Sequence, residues 1–337
     1  MPSISSFAKI NLGLKIGPAR PDGFHELRTV YQTLALHDVI RVEVVPGEGI
    51  EIRCSDPRVP LDSSNTCYKI AERLMKTSGS AGKIVITIEK QLPVQGGMGA
   101  ASSNAVAAML AMEHALGIQL SPQDKLRIAA EVGSDLPLFL IGGTVLGVGR
   151  GEEVFPLPDL PPLHVVVVTP PVGVSTPLAF ARWDELQTLE AALTGASATG
   201  TINEFSQRVF AWLSKGFPQV GRALNAEPES ASGVPARGGD RAETPLLDLV
   251  RAGIENDFEK VVFPEYPDLR EVKAMLLREG ASYASLSGSG STLYGLFASE
   301  VQAQAAAERM TNAGHAAVAT ATLTREAYWK QLSVARD

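Results

Sequence analysis

The sequence predicts an α+β protein in two domains, and three observations carry that reading. Segments whose apolar residues alternate with period two are interleaved with runs at helical spacing, prolines cluster near mid-chain, and the C-terminal block reads strand, strand, helix, strand. At about 150 residues per domain, the 337 residues leave room for roughly two domains.

The elements follow in order. Residues 39–45 place Ile40, Val42 and Val44 on one face and Arg41 and Glu43 on the other, and Pro46-Gly47-Glu48-Gly49 leads into Ile50, Ile52 and Cys54 with the same period, a hairpin pattern. After Asp62-Ser63-Ser64, the spacing of Cys67, Ile70, Ala71, Leu74 and Met75 predicts a capped amphipathic helix. Residues 83–89 alternate again, with Ile84, Ile86 and Ile88 inward, and feed a glycine-rich segment. An alanine-rich helix runs from Ser102 to Leu116 and stops at Gly117, and Ser121-Pro122 opens another that ends near Gly133.

Pro156, Pro158, Pro161 and Pro162 then mark the domain boundary, dividing 1–160 from 161–337. Beyond it, 165–168 is a buried strand, and 226–245, with one Val and no other large apolar residue, reads as a loop that buries no face. A helix over 269–279 stops at Gly280. Strands over 283–286 and 292–297 flank Ser287-Gly288-Ser289-Gly290-Ser291, and a helix over 300–310 and a strand near 316–322 complete the block.

Composition narrows the function. The chain is 45% hydrophobic and 20% charged, enough for real cores. A net charge of −7 argues against a nucleic-acid or anionic-membrane partner. Two cysteines, Cys54 and Cys67, exclude a disulfide scaffold and read as small apolar residues in a reducing cytoplasm. Lys9 and Lys15 interrupt any signal-peptide core. The most membrane-like stretch, 136–148, carries a proline and three glycines and falls short of the about 20 residues a span needs. The expected compartment is the cytoplasm.

The strongest chemical signal is Pro93-Val94-Gln95-Gly96-Gly97-Met98-Gly99-Ala100-Ala101-Ser102-Ser103, between a strand and a helix. Small residues let backbone approach a ligand, and the free N–H groups and positive dipole end of the first helical turn suit phosphate. The segment has no Gly-Lys-Ser/Thr, so it is not a Walker loop. An acidic ribose ligand of a dinucleotide fold would fall at Ile118-Gln119-Leu120, between two helices, which argues against that fold. Three further clusters stand out: Phe7-Ala8-Lys9-Ile10-Asn11-Leu12 with Pro21-Asp22-Gly23-Phe24-His25-Glu26-Leu27, then Gly133-Ser134-Asp135-Leu136-Pro137, then Leu286-Ser287-Gly288-Ser289-Gly290-Ser291-Thr292.

In this order and spacing the motifs resemble the GHMP kinase superfamily, small-molecule kinases named for galactose, homoserine, mevalonate and phosphomevalonate. The resemblance spans nearly the whole chain outside 226–245. It implies an N-terminal domain like the second domain of ribosomal protein S5, a ferredoxin-like C-terminal domain, and ATP and an alcohol meeting between them. It further implies that 93–103 wraps the triphosphate, that Asn65 lies near the adenine, and that Ser103 lies near Mg2+. Asp135 stands at the family's base position, and Lys9 would stabilise developing charge and keep that carboxylate ionised.

The resemblance is strongest to the branch whose alcohol carries a cytidine diphosphate group, in the non-mevalonate route to isoprenoid precursors. There Phe24 and Phe180 would sandwich the cytosine, His25 would bond its polar edge, and Asn11 and Thr176 would contact substrate. The implied protein is a monomer or weak homodimer that acts on a small molecule. Two other readings stay open: a GHMP kinase of homoserine, mevalonate or a sugar, and a catalytically silent binding protein of this fold. Phe24 stands where the family commonly carries Tyr, which keeps a stacking face and removes a hydroxyl. Gln95, Met98, Ala100 and Ala101 replace smaller or more glycine-rich choices.

Overall fold

The computed structural model describes residues 3–94, 96–194, 202–207, 209 and 255–332. Gln95 and the stretch 226–245 lie outside the described residues. Two long strands, β1 (Ser3–Ala19) and β2 (His25–Val45), pair antiparallel with three register shifts. The first sheet adds β3 (Gly49–Cys54), β4 (Lys83–Glu89), β5 (Thr144–Val148) and β6 (Glu153–Pro156), in the order β3-β4-β2-β5-β6 with β1 against β2. Helices α1 (Thr66–Ser78), α2 (Ala100–Leu116) and α3 (Pro122–Val132) contribute to one core with it. Alanines at 105, 107, 108 and 111 are at most 2% exposed and let α2 approach its neighbours closely.

The expected hairpin of 39–45 with 50–54 does not form. β4 lies between the two strands, parallel to β3 (Ile52 opposite Ile86) and antiparallel to β2 (Val42 opposite Ile86). The crossover helix α1 explains it. A β3-α1-β4 unit makes parallel neighbours, and β4, with Ile84, Val85, Ile86 and Ile88 buried, fills an interior position.

The chain leaves the first sheet at Pro156 and starts the second at His164. There β7 (His164–Val168) is followed by α4 (Thr176–Thr194), α5 (Glu259–Glu265), α6 (Pro267–Arg278), β8 (Tyr283–Leu286), β9 (Leu293–Phe297), α7 (Glu300–Asn312) and β10 (Ala317–Ala321). The antiparallel order β10-β7-β9-β8 is the fourth, first, third and second strand of a βαββαβ unit, as a ferredoxin-like domain requires.

A shared apolar cluster joins the sheets: Ala8, Ile10 and Leu12 of β1 with Val165 and Val167 of β7 and Tyr294 and Leu296 of β9. β1 shows no period-two alternation in the sequence because it is buried on both sides. Cys67 is buried, Cys54 is half-buried, and both are free. Among the described residues no helix is long and apolar enough to cross a membrane.

The last helix, α8 (Arg325–Leu332), folds back onto the first domain. Tyr328 Oη donates to Phe139 O (2.6 Å), Trp329 Nε1 to Ile141 O (2.9 Å), and the Arg325 guanidinium to the carbonyls of Thr144 and Leu157. Gly142 makes this possible: its φ is +72°, and a Cβ there would stand 2.3 Å from the Tyr328 ring. Gly142→Ala should therefore cost about 2–4 kcal/mol of stability through backbone strain and overpacking, read as a lower midpoint in thermal or urea unfolding.

Candidate active site

Alternation along β1 places Lys9 and Asn11 on one face, 3% and 2% exposed. An ammonium so buried needs partners. Lys9 Nζ donates to Asn11 Oδ1 (2.7 Å) and pairs with Asp135 Oδ2 (3.3 Å). Asn11 Nδ2 donates to Thr29 Oγ1 (2.8 Å), which donates to Gly13 O.

Asp135 sits in the turn after α3, held by Leu136, Leu138 and Phe139, each at most 1% exposed, while its own side chain stays one-third exposed. Its other oxygen accepts from Tyr31 Oη (3.0 Å). Burial, and next the Asp135 charge, push the Tyr31 phenol well above its usual range, so it remains a donor. The centre is therefore a carboxylate held on both oxygens, with one open side.

The glycine loop lies alongside. Met98 O accepts from Lys9 N (3.0 Å), and Met98 itself packs into the core between the sheets. Ser287 Oγ donates to Gly97 O (3.0 Å), and Thr292 N donates to Gly96 O (3.2 Å), so the fourth motif braces the loop. Gly97 has φ +78°, and a Cβ there would lie 2.3 Å from Ser287 O, which only glycine tolerates. α2 begins at Ala100 with Gly99 as an N-cap that offers no side chain, so the amides of the first turn keep their capacity for an anion.

A pocket of about 310 Å³ is lined by Pro93, Val94, Gly96 to Ser102, Asn65, Thr66 and Lys90. These features fit a nucleotide triphosphate. Ala100 and Ala101 are ordinary helical positions here, so their lack of glycine does not disturb the path of the loop.

Two expected contacts take a different form. Ser103 is 2% exposed and its hydroxyl lies 2.8 Å from that of Ser6, turned away from the pocket; Ser102, one position earlier on the helix, lines it. Helical rotation between successive residues separates the two. Asn65 is in the pocket wall, but as the N-cap of α1 it accepts from Cys67 N and donates to Pro60 O (2.6 Å).

On the opposite side, Thr176 and Phe180 lie on α4. Thr176 Oγ1 is 2.6 Å from Ser289 Oγ, in a recess shared with Gly97 and Gly290. Phe180 stacks on His25 (4.8 Å, 10°) and stands T-shaped to Phe258 (4.9 Å, 75°). Phe24 is 50% exposed, with the Arg150 guanidinium 4.8 Å over its ring. The structure thus sets Phe180 against His25 rather than across a slot from Phe24. Successive residues at the start of a strand face opposite ways, which parts Phe24 from His25. His25 Nε2 is 2.7 Å from Asp184 Oδ1. Sequence reasoning missed Asp184 and Tyr31. The first stands four residues after Phe180 on one helix face, a legible spacing; the second is opposite Asn11 only through the β1–β2 register.

Comparison with known proteins places this geometry among relatives. A family model described as GHMP kinases N terminal domain matches residues 65–143, and one described as GHMP kinases C terminal matches 243–316. The chain is 36% identical to the 4-diphosphocytidyl-2-C-methyl-D-erythritol kinase of Solibacter usitatus, over 87% of this chain and 80% of that one. To the protein of the same name from Moorella thermoacetica it is 34% identical, over 95% and 99%. A crystal structure of 4-(cytidine 5'-diphospho)-2C-methyl-D-erythritol kinase superimposes with a TM-score of 0.68 at 26% identity, covering 95% of this chain and 98% of that one.

Tyr31→Phe removes one of the two groups that orient Asp135 and leaves the packing of the ring in place. We expect phosphoryl transfer to slow about tenfold, the equivalent of one hydrogen bond, with an unfolding midpoint close to that of the parent; single-turnover kinetics beside a melting curve measure both.

Proposed function

The chain belongs to the 4-diphosphocytidyl-2-C-methyl-D-erythritol kinase family of the GHMP kinases, and from that premise we propose that it transfers the γ-phosphoryl group of ATP to the 2-hydroxyl of 4-diphosphocytidyl-2-C-methyl-D-erythritol. The observation that carries the catalytic assignment is the triad of Lys9, Asp135 and Tyr31 beside the glycine loop.

In the proposed reaction the substrate oxygen attacks the γ-phosphorus as the bond to the β-phosphate bridging oxygen breaks, and ADP leaves. Asp135 accepts the hydroxyl proton through its open side. Lys9, buried and already oriented by Asn11, offsets charge gathering on the transferring group, which counts for more away from bulk water. The amides at the start of α2 and the loop from Pro93 to Ser102 hold the phosphates.

Among the described residues no cluster of three acidic, histidine or cysteine side chains could hold a metal. Magnesium would then arrive with the phosphates, and Asp135, paired with Lys9 beside the glycine loop, is the carboxylate that would face it. When bound, the ion neutralises phosphate charge. Asn11, Thr176, Phe24, His25 and Phe180 are proposed to hold the alcohol and its cytosine, with the half-exposed Phe24 supplying a flat face and Phe180 backing the His25 ring. On the same reading the chain divides into 1–160 and 161–337, and the protein works in the cytoplasm as a monomer or weak homodimer.

The test is ADP release from Mg-ATP with 4-diphosphocytidyl-2-C-methyl-D-erythritol, run beside homoserine, mevalonate and galactose. Turnover is expected with the cytidine substrate alone, and Asp135→Asn should lower kcat about 10²–10⁴-fold, the range for loss of a general base, while calorimetry shows ATP binding retained. Turnover of another alcohol in its place would sink the substrate assignment.

A further inference from the structure

Asp38 is fully buried and takes no part in the chemistry above, yet its carboxylate meets four donors. Oδ1 accepts from the amides of Gln91 and Leu92, both at 2.7 Å. Oδ2 accepts from Lys90 Nζ (2.8 Å) and Asn104 Nδ2 (3.0 Å). Three of these donors stand just before Pro93, where the glycine loop begins, and the fourth is on α2 just after it ends.

The local chain explains the need. The β2–β4 ladder ends at Val39 opposite Glu89, so the amides of Gln91 and Leu92 have no strand partner. The Leu92 amide is buried, where a donor without an acceptor is costly, and the side chain one residue before Val39 supplies the acceptor to it and to the part-buried Gln91 amide. Asn104 Oδ1 accepts in turn from Ser6 Oγ (2.6 Å), beside Ser103, which anchors the start of α2 to β1.

We propose that Asp38 is a positioning residue for ATP, clamping both ends of the glycine loop so that the wall formed by Pro93, Val94 and Gly96 and the amides of the first turn of α2 keep a fixed separation. The proposal rests on the ATP-binding reading given above. Asp38 does not line the nucleotide pocket. It acts through Leu92 and Asn104, and small displacements of phosphate-holding groups are felt strongly.

The test uses the full chain, with ATP affinity measured by calorimetry and KM measured for both substrates. Asp38→Asn keeps an acceptor for the two amides but turns a donor toward Asn104 and Lys90. ATP Kd and KM should rise about tenfold, as for one lost charge-assisted bond, with kcat and the KM for the alcohol nearly unchanged. Adding Asn104→Asp restores an acceptor opposite that donor and should recover most of the ATP affinity.

Parental ATP affinity in a folded Asp38→Asn protein, a fall in kcat alone, or an equal rise in both KM values would overturn the proposal. If circular dichroism shows that Asp38→Asn does not fold, Ser6→Ala decides: weaker ATP binding supports the clamp, and unchanged binding overturns it. A parent chain that binds no ATP defeats the functional reading and this proposal together. A parent that binds ATP beside an Asp38→Asn protein that binds equally well defeats the clamp alone.

Discussion

The antiparallel pairing of β1 with β2 is the constraint on which the rest of the molecule depends. β1 contributes Phe7 to the core under α2, Ala8, Ile10 and Leu12 to the cluster between the sheets, and Leu14 and Ile16 to the core of the second domain. Between those apolar positions it carries Lys9 and Asn11. Its register sets Asn11 opposite Tyr31, and thereby fixes the angle from which Tyr31 reaches Asp135. A strand buried on both faces cannot slip by one residue without exchanging every one of these partners.

Buried charge is organised in two separate ways around that strand. Lys9 faces a carboxylate that stays one-third exposed, so the pair retains an open side for chemistry. Asp38 faces Lys90 with both nearly inaccessible and with backbone amides on its second oxygen, leaving no open side. Desolvated ions persist only where hydrogen bonds complete their shells. The difference in exposure separates a group placed to react from one placed to hold.

The second domain contributes through backbone approach more than through charge. Asn256 Nδ2 donates to the carbonyls of Leu286 and Gly288, which shapes the turn whose Ser287 hydroxyl braces Gly97. Thr176 reaches Ser289 of the same turn from the start of α4. One short loop thus touches both the phosphate-binding segment and the helix that carries Phe180.

Local signals determined much of this protein. Caps, helical spacing and glycine stops located α1, α2, α3, α6 and α7 within a few residues, alternation located β3, β4 and the second half of β2, and the Ser-Gly turn located β8 and β9 on either side of it, because each of these patterns arises from neighbours along the chain. The glycine loop and the three other motifs were legible for the same reason. Tertiary structure alone decided the rest. β4 separates β3 from β2 because a crossover helix and a doubly flanked position outweigh the turn at 46–49. β1 gave no alternation because both its faces are covered. Ser103 turns inward because Ser6 waits on β1, and Phe180 meets His25 because α4 packs there. Which groups meet across about 100 residues of chain or more, as Lys9 and Asp135 do, is a property of register and packing that no local pattern encodes.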